Sequence, residues 1–158
     1  MKATILLTVW CLTAISISCR KEAGLPPASP PRNTWTYAGL THLAAYSETD
    51  TRGGYKITFR PGGDTGLTHG LSFQFKEKPT SAGTYSIARN AYTSNQVTVI
   101  LETDTISSYY SLGTDNATLR TTITSGKLDF SGENIRMVRD TIPALADSLN
   151  VSFELREF

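Results

Sequence analysis

The sequence predicts an all-β fold: an antiparallel β-sandwich, or a partly open barrel, of about eight to ten short strands. Three observations predict it. Apolar and polar residues alternate with a period of two along most of the chain after residue 33. Turn signals rich in glycine, asparagine and aspartate separate the alternating runs. Charged residues make up only 18% of the chain, and small polar residues are abundant, threonine above all, which suits strands better than helices. The 158 residues are enough for one domain with its own hydrophobic core.

The chain opens with Met1-Lys2, continues in an apolar run from Ile5 to Ile17 and reaches Ser18-Cys19. A basic start, an apolar stretch and a small residue before the break mark a secretory signal peptide over residues 1–18. The run is shorter than the ~20 residues that a membrane-spanning helix requires. The stretch Ser16-Ile17-Ser18-Cys19 resembles a bacterial lipobox, with Ser16 standing where an apolar residue such as leucine is usual. That resemblance implies cleavage before Cys19 and lipidation of its thiol. The protein would then be held in the cell envelope, at the outer membrane, by its N-terminal lipid. Of the two cysteines, Cys11 leaves with the signal and Cys19 carries lipid. None is left for a disulfide, a metal site or a nucleophile.

Residues 19–33 read as a tether. Four prolines (Pro26, Pro27, Pro30 and Pro31) crowd into it. Each fixes φ and removes an amide donor, which favours extended polyproline II over helix or sheet.

Residues 34–158 form the β domain. Tyr55, Ile57 and Phe59 alternate with Lys56, Thr58 and Arg60, and Leu71, Phe73 and Phe75 with Ser72, Gln74 and Lys76. Val97, Val99 and Leu101 follow the same period, as do Leu119, Thr121 and Ile123. Leu149, Val151, Phe153 and Leu155 repeat it at the C-terminus. Such runs bury one face and wet the other. Turns fall at Arg52-Gly53-Gly54, Pro61-Gly62-Gly63-Asp64, Ser81-Ala82-Gly83, Gly113-Thr114-Asp115-Asn116 and Ser125-Gly126. Met137 and Val138 are adjacent, which breaks the alternation and suggests a bulge or a strand end. Thr141–Asp147 reads as a loop, or at most one helical turn with Thr141 capping it.

Motifs for chemistry are scarce. There is no nucleophile elbow, phosphate loop or dinucleotide fingerprint. A formal charge of +1 without a basic cluster excludes nucleic acid as a partner. The acidic pairs Glu102/Asp104 and Asp129/Glu133 lie beside turns and read as solvated turn residues. Asp64 and Asp115-Asn116 lack the ligand density of a calcium loop. One short repeat stands out: Gly39-Leu40-Thr41-His42 recurs as Gly66-Leu67-Thr68-His69. Strands placed side by side would bring His42 and His69 together, as a ligand-binding pair or as structural residues. Two histidines are half a zinc site, so no metal or other cofactor is expected. Among the aromatics, Tyr109 and Tyr110 are neighbours on a strand and point to opposite faces, which offers one of them to a sugar ring or a partner chain.

The body resembles a group of Bacteroidota-type small lipoprotein domains of unknown function. The likeness rests on Trp35-Thr36-Tyr37, Lys78-Pro79-Thr80-Ser81-Ala82-Gly83-Thr84-Tyr85, Ile123-Thr124-Ser125-Gly126-Lys127-Leu128, Ser131-Gly132 and Val151-Ser152-Phe153-Glu154-Leu155. It implies a β-sandwich lipoprotein and carries over no catalytic residue. The expected function is a non-catalytic envelope module that binds a glycan or a protein partner. The alternatives are an assembly subunit of an envelope complex or a hydrolase.

Overall fold

The computed structural model describes residues 33–63, 69–103, 107–113, 116–139 and 147–158. The signal peptide, Cys19, the proline-rich tether up to residue 32 and residues 140–146 lie outside them. Within the described residues ten strands follow in order: β1 (Thr34–Tyr37), β2 (Leu40–Asp50), β3 (Tyr55–Pro61), β4 (Gly70–Phe75), β5 (Gly83–Ile87), β6 (Gln96–Glu102), β7 (Ser108–Ser111), β8 (Thr118–Thr124), β9 (Lys127–Arg139) and β10 (Ser148–Arg156). The fold is all-β, and the described residues contain no helix.

All ten strands belong to one sheet, and that sheet closes on itself. β10 pairs with both β1 and β9, and β6 pairs with β4, β5 and β7. Every described strand therefore has at least two neighbours, although some pairings cover only part of a strand. A sheet closed in this way is a barrel. The pairings are antiparallel except one: Ser86 and Ile87 of β5 run parallel to Gln96 and Val97 of β6.

Alternation along each strand decides what faces inward. Ile57 and Phe59 of β3, Leu71 and Phe73 of β4, Val97, Val99 and Leu101 of β6, Leu119 of β8, and Val151, Phe153 and Leu155 of β10 are all buried. Removing each such side chain from water contributes about 1.5–3 kcal/mol. The Phe73 ring lies 4.9 Å from Phe130 and 4.8 Å from Phe153, so aromatic side chains fill the middle of the barrel. Ile123, the last apolar member of the β8 run, is at the strand's end and exposed.

β9 changes phase partway along. Gly132 pairs with Phe153 and Ile135 with Val151, which leaves Glu133 and Asn134 opposite Ser152 alone. Asn134 takes a φ of 51° at this bulge, a conformation that asparagine tolerates better than most residues. Leu128, Phe130 and Gly132 point inward before the bulge, and Ile135 and Met137 after it. The break in alternation at Met137-Val138 therefore marks an outward but buried Val138, while the bulge itself lies upstream.

Closure places the ends of β1, β3, β6 and β9 and the starts of β2, β4, β7 and β10 at one mouth. The opposite end is stoppered. There the Tyr55 hydroxyl donates to Glu157 Oε1 at 3.4 Å, the Leu128 amide donates to Glu157 Oε2 at 3.1 Å, and the Lys78 ammonium lies 5.4 Å from the Tyr55 ring centre.

Candidate functional site

The mouth gathers a stack of aromatic rings. Its placement begins with a two-residue turn, in which Ala38 (φ 48°) and Gly39 (φ 77°) both take left-handed backbone. Two such residues form the hairpin turn whose twist matches that of its flanking strands. This turn fixes the register of β1 and β2, so Trp35 pairs with His42 and Tyr37 with Leu40. On β4, Leu71 faces inward opposite Phe59. His69, two residues earlier, lies on that same face at the rim.

The rings come together nearly parallel. His42 lies 4.8 Å from Tyr37 at an interplanar angle of 4°, and 5.3 Å from Trp35 at 13°. His69 lies 6.4 Å from His42 at 18°. The two histidines of the short sequence repeat therefore share one site. Burial, and next the charge on His69, hold the His42 imidazole below its ordinary value of 6.5, so His42 is neutral at pH 7. Two polar ring atoms, Trp35 Nε1 and His42 Nε2, are buried without a hydrogen-bond partner. Leaving such an atom unpaired costs about 1–3 kcal/mol. Leu40, beside Tyr37, is 60% exposed.

A second cluster occupies the same rim across β7, β9 and β10. The Tyr109 hydroxyl donates to Asp147 Oδ2 at 3.0 Å, and Arg139 Nη1 donates to the same oxygen at 3.5 Å. Arg139 Nη2 also donates to Ser107 Oγ. Tyr109 packs against the core. Its neighbour Tyr110 takes the opposite face, half-buried, in register with Ile100 on one side and Val138 on the other. The structure thus brings His42, His69 and Tyr109 to one end of the barrel and separates Tyr110 from them.

The acidic residues go elsewhere. Glu102 is paired with Lys56 at 3.8 Å and Arg60 at 3.3 Å. Asp129 is paired with Arg156 at 2.6 Å, and Glu133 is exposed at the bulge. Asp104, Asp64 and Asp115 lie outside the described residues. Among the described residues no three of His, Cys, Asp and Glu assemble into a metal-binding group. The mouth can therefore stack on a planar ligand and exchange hydrogen bonds with it through two imidazoles.

Sequence reasoning singled out both histidines but missed Trp35, Tyr37 and Leu40 as their companions. The signal was present: Trp35 and Tyr37 alternate with threonines, and Ala38-Gly39 turns the chain straight into the first copy of the histidine repeat. Comparison with family models, with characterised proteins and with solved structures finds no match to this chain.

Proposed function

We propose that this protein is a non-catalytic binding module of the cell envelope, tethered by a lipid on Cys19, and that its ligand is a glycan held at the barrel mouth. The observation that carries this reading is the near-parallel set of Tyr37, His42 and His69 rings at the rim. Flat ring faces stack on the apolar face of a sugar, and imidazole nitrogens exchange hydrogen bonds with its hydroxyls. His42 Nε2, buried without a hydrogen-bond partner, is a polar atom that a ligand hydroxyl entering the mouth would satisfy.

The test is an NMR titration of the protein with a panel of oligosaccharides. Shifts are expected at Tyr37, His42 and His69, and binding should disappear in Tyr37→Ala and His69→Ala. Shifts confined to other faces, or no binding across the panel, would remove the glycan reading. Lipidation is tested separately: labelled fatty acid should enter the wild type and not Cys19→Ala.

A protein partner is the second reading, favoured by β2. Leu43 (63% exposed) and Tyr46 (43% exposed) present apolar surface on the outer face of that strand. Loss of a co-purifying envelope protein in Leu43→Glu, with glycan binding intact, would support it.

A further inference from the structure

The outer surface of β8, β9 and β10 carries polar side chains that the mouth does not use. Strand register sets Arg120, Ser131 and Glu154 in one row across three strands, and Thr122, Asp129 and Arg156 in the next. Charges in the second row are already satisfied. Arg156 donates through Nε to Asp129 Oδ1 at 2.6 Å and through Nη2 to Oδ2 at 3.1 Å, and the Thr122 and Thr124 hydroxyls donate to Oδ2. In the first row they are not. Among the described residues the side chains of Arg120 and Glu154 form no ion pair or hydrogen bond, with each other or with a third group.

Two hollows, of about 490 and 540 Å³, meet along that first row, and Arg120, Ser131 and Glu154 line both. Serine is the short member, so it makes a floor between two long walls of opposite charge. With strands about 4.8 Å apart, the outer two residues of the row start roughly 10 Å apart. That gap admits a small ion between guanidinium and carboxylate. A lone anion would meet the Glu154 charge, and a lone cation would meet Arg120. A molecule carrying both charges meets neither difficulty.

We propose that this row binds the headgroup of an α-amino acid. Arg120 takes the carboxylate in a forked contact, Glu154 takes the ammonium, and the Ser131 hydroxyl hydrogen-bonds between them. The satisfied Asp129–Arg156 pair beside it contributes a rigid wall of no net charge. The aromatic residues beneath the trough, Phe130 and Phe153, point into the core, so this face lacks the stacking platform that a sugar would use and is distinct from the mouth.

The experiment is a ¹H–¹⁵N titration of the full chain with glycine and with L- and D-alanine. Controls are N-acetylglycine, which lacks the ammonium, glycinamide, which lacks the carboxylate, and glycylglycine, whose charges stand farther apart. Saturable shifts at residues 120, 131 and 154 are expected with the free amino acids, each control binding about tenfold more weakly or worse. Arg120→Gln and Glu154→Gln should each weaken binding by about tenfold while leaving the rest of the spectrum native, and His69→Ala should leave it unchanged. The proposal is overturned if no free amino acid gives saturable shifts up to about 20 mM. It is equally overturned if either blocked analogue binds as well as glycine, if glycylglycine binds better, or if both glutamine variants bind normally.

Discussion

Gly132 of β9 lies so close to Phe153 of β10 that a Cβ added to it would fall 2.6 Å from the Phe153 Cζ atom and 2.8 Å from Ile135 Cδ1. Neither contact is possible for real atoms. The glycine gives the Phe153 ring room to reach Phe73 at the centre of the barrel, immediately before the bulge at Glu133–Asn134.

Gly132→Ala should therefore destabilise the domain by about 1–3 kcal/mol through overpacking, and Phe153→Ala by about 3–5 kcal/mol through the cavity it leaves. The double variant should lose clearly less than the sum, because the new methyl group occupies space that the ring has vacated. Denaturant melts of the three variants check this. Strict additivity would mean that the two positions do not share that space. The outward Ser152→Ala is not a neutral control here, since the Ser152 hydroxyl accepts the Asn134 amide at 3.0 Å. It should cost about 1 kcal/mol.

Ser111 joins three segments. Its hydroxyl accepts the Val99 amide of β6 at 3.0 Å and donates to the Ala88 carbonyl, just past β5, also at 3.0 Å. The side chain is fully buried, so Ser111→Ala leaves an amide and a carbonyl unsatisfied and should cost about 1–3 kcal/mol. Hydrogen exchange at Val99 should accelerate in the variant. Unchanged exchange there would show that the hydroxyl is not the partner holding this amide.

His42 makes stability depend on pH near neutrality. Burial first, and the nearby His69 charge second, lower its pKa from 6.5. Just below pH 6.5 the unfolded chain then binds more protons than the folded one, so this contribution is complete above 6.5 and declines as pH falls. His42→Gln should flatten that slope. A ¹H titration of the His42 ring should give a midpoint below 6.5, and a midpoint at or above that value would contradict the burial argument.

Asp129 acts at lower pH and in the ordinary carboxylate direction. The Arg156 guanidinium, helped by the Thr124 and Thr122 hydroxyls, holds its carboxyl below 3.8. Its contribution is therefore present above 3.8 and is lost as pH falls through the folded value. Urea melts between about pH 5 and about pH 2 should show a shallower decline for Asp129→Asn than for the wild type. At neutral pH the same substitution should cost no more than about 1 kcal/mol, because the pair is partly exposed.

Local patterns made the inward faces of β3, β4, β6 and β10 legible, since their buried residues are the ones that alternation selects. Tyr109 and Tyr110 divide between the two faces for the same reason. The phase change in β9 was not legible: the adjacent apolar pair Met137-Val138 reflects a buried outward Val138, and nothing in Gly132-Glu133-Asn134 names the residue that steps out. Closure was not legible, because the pairing of β1 with β10 joins opposite ends of the domain, where no local pattern reaches. The mouth stood in between. The repeated Gly-Leu-Thr-His marked both histidines, whereas the roles of Trp35 and Tyr37 depend on the hairpin register that the Ala38-Gly39 turn imposes.

A ring of strands also governs how these molecules behave in each other's company. At a formal charge of +1 they repel one another only weakly, and long β-strands are the segments most prone to stack into fibres. Among the described residues each strand already has two neighbours, which leaves a second copy fewer open amides and carbonyls to template on than the edge of an open sheet would. Strand pairing, more than charge, is what limits such contacts. Its weak point is the four-residue β1: peeling β1 away would uncover β2 and β10 together and turn a closed surface into two adhesive ones.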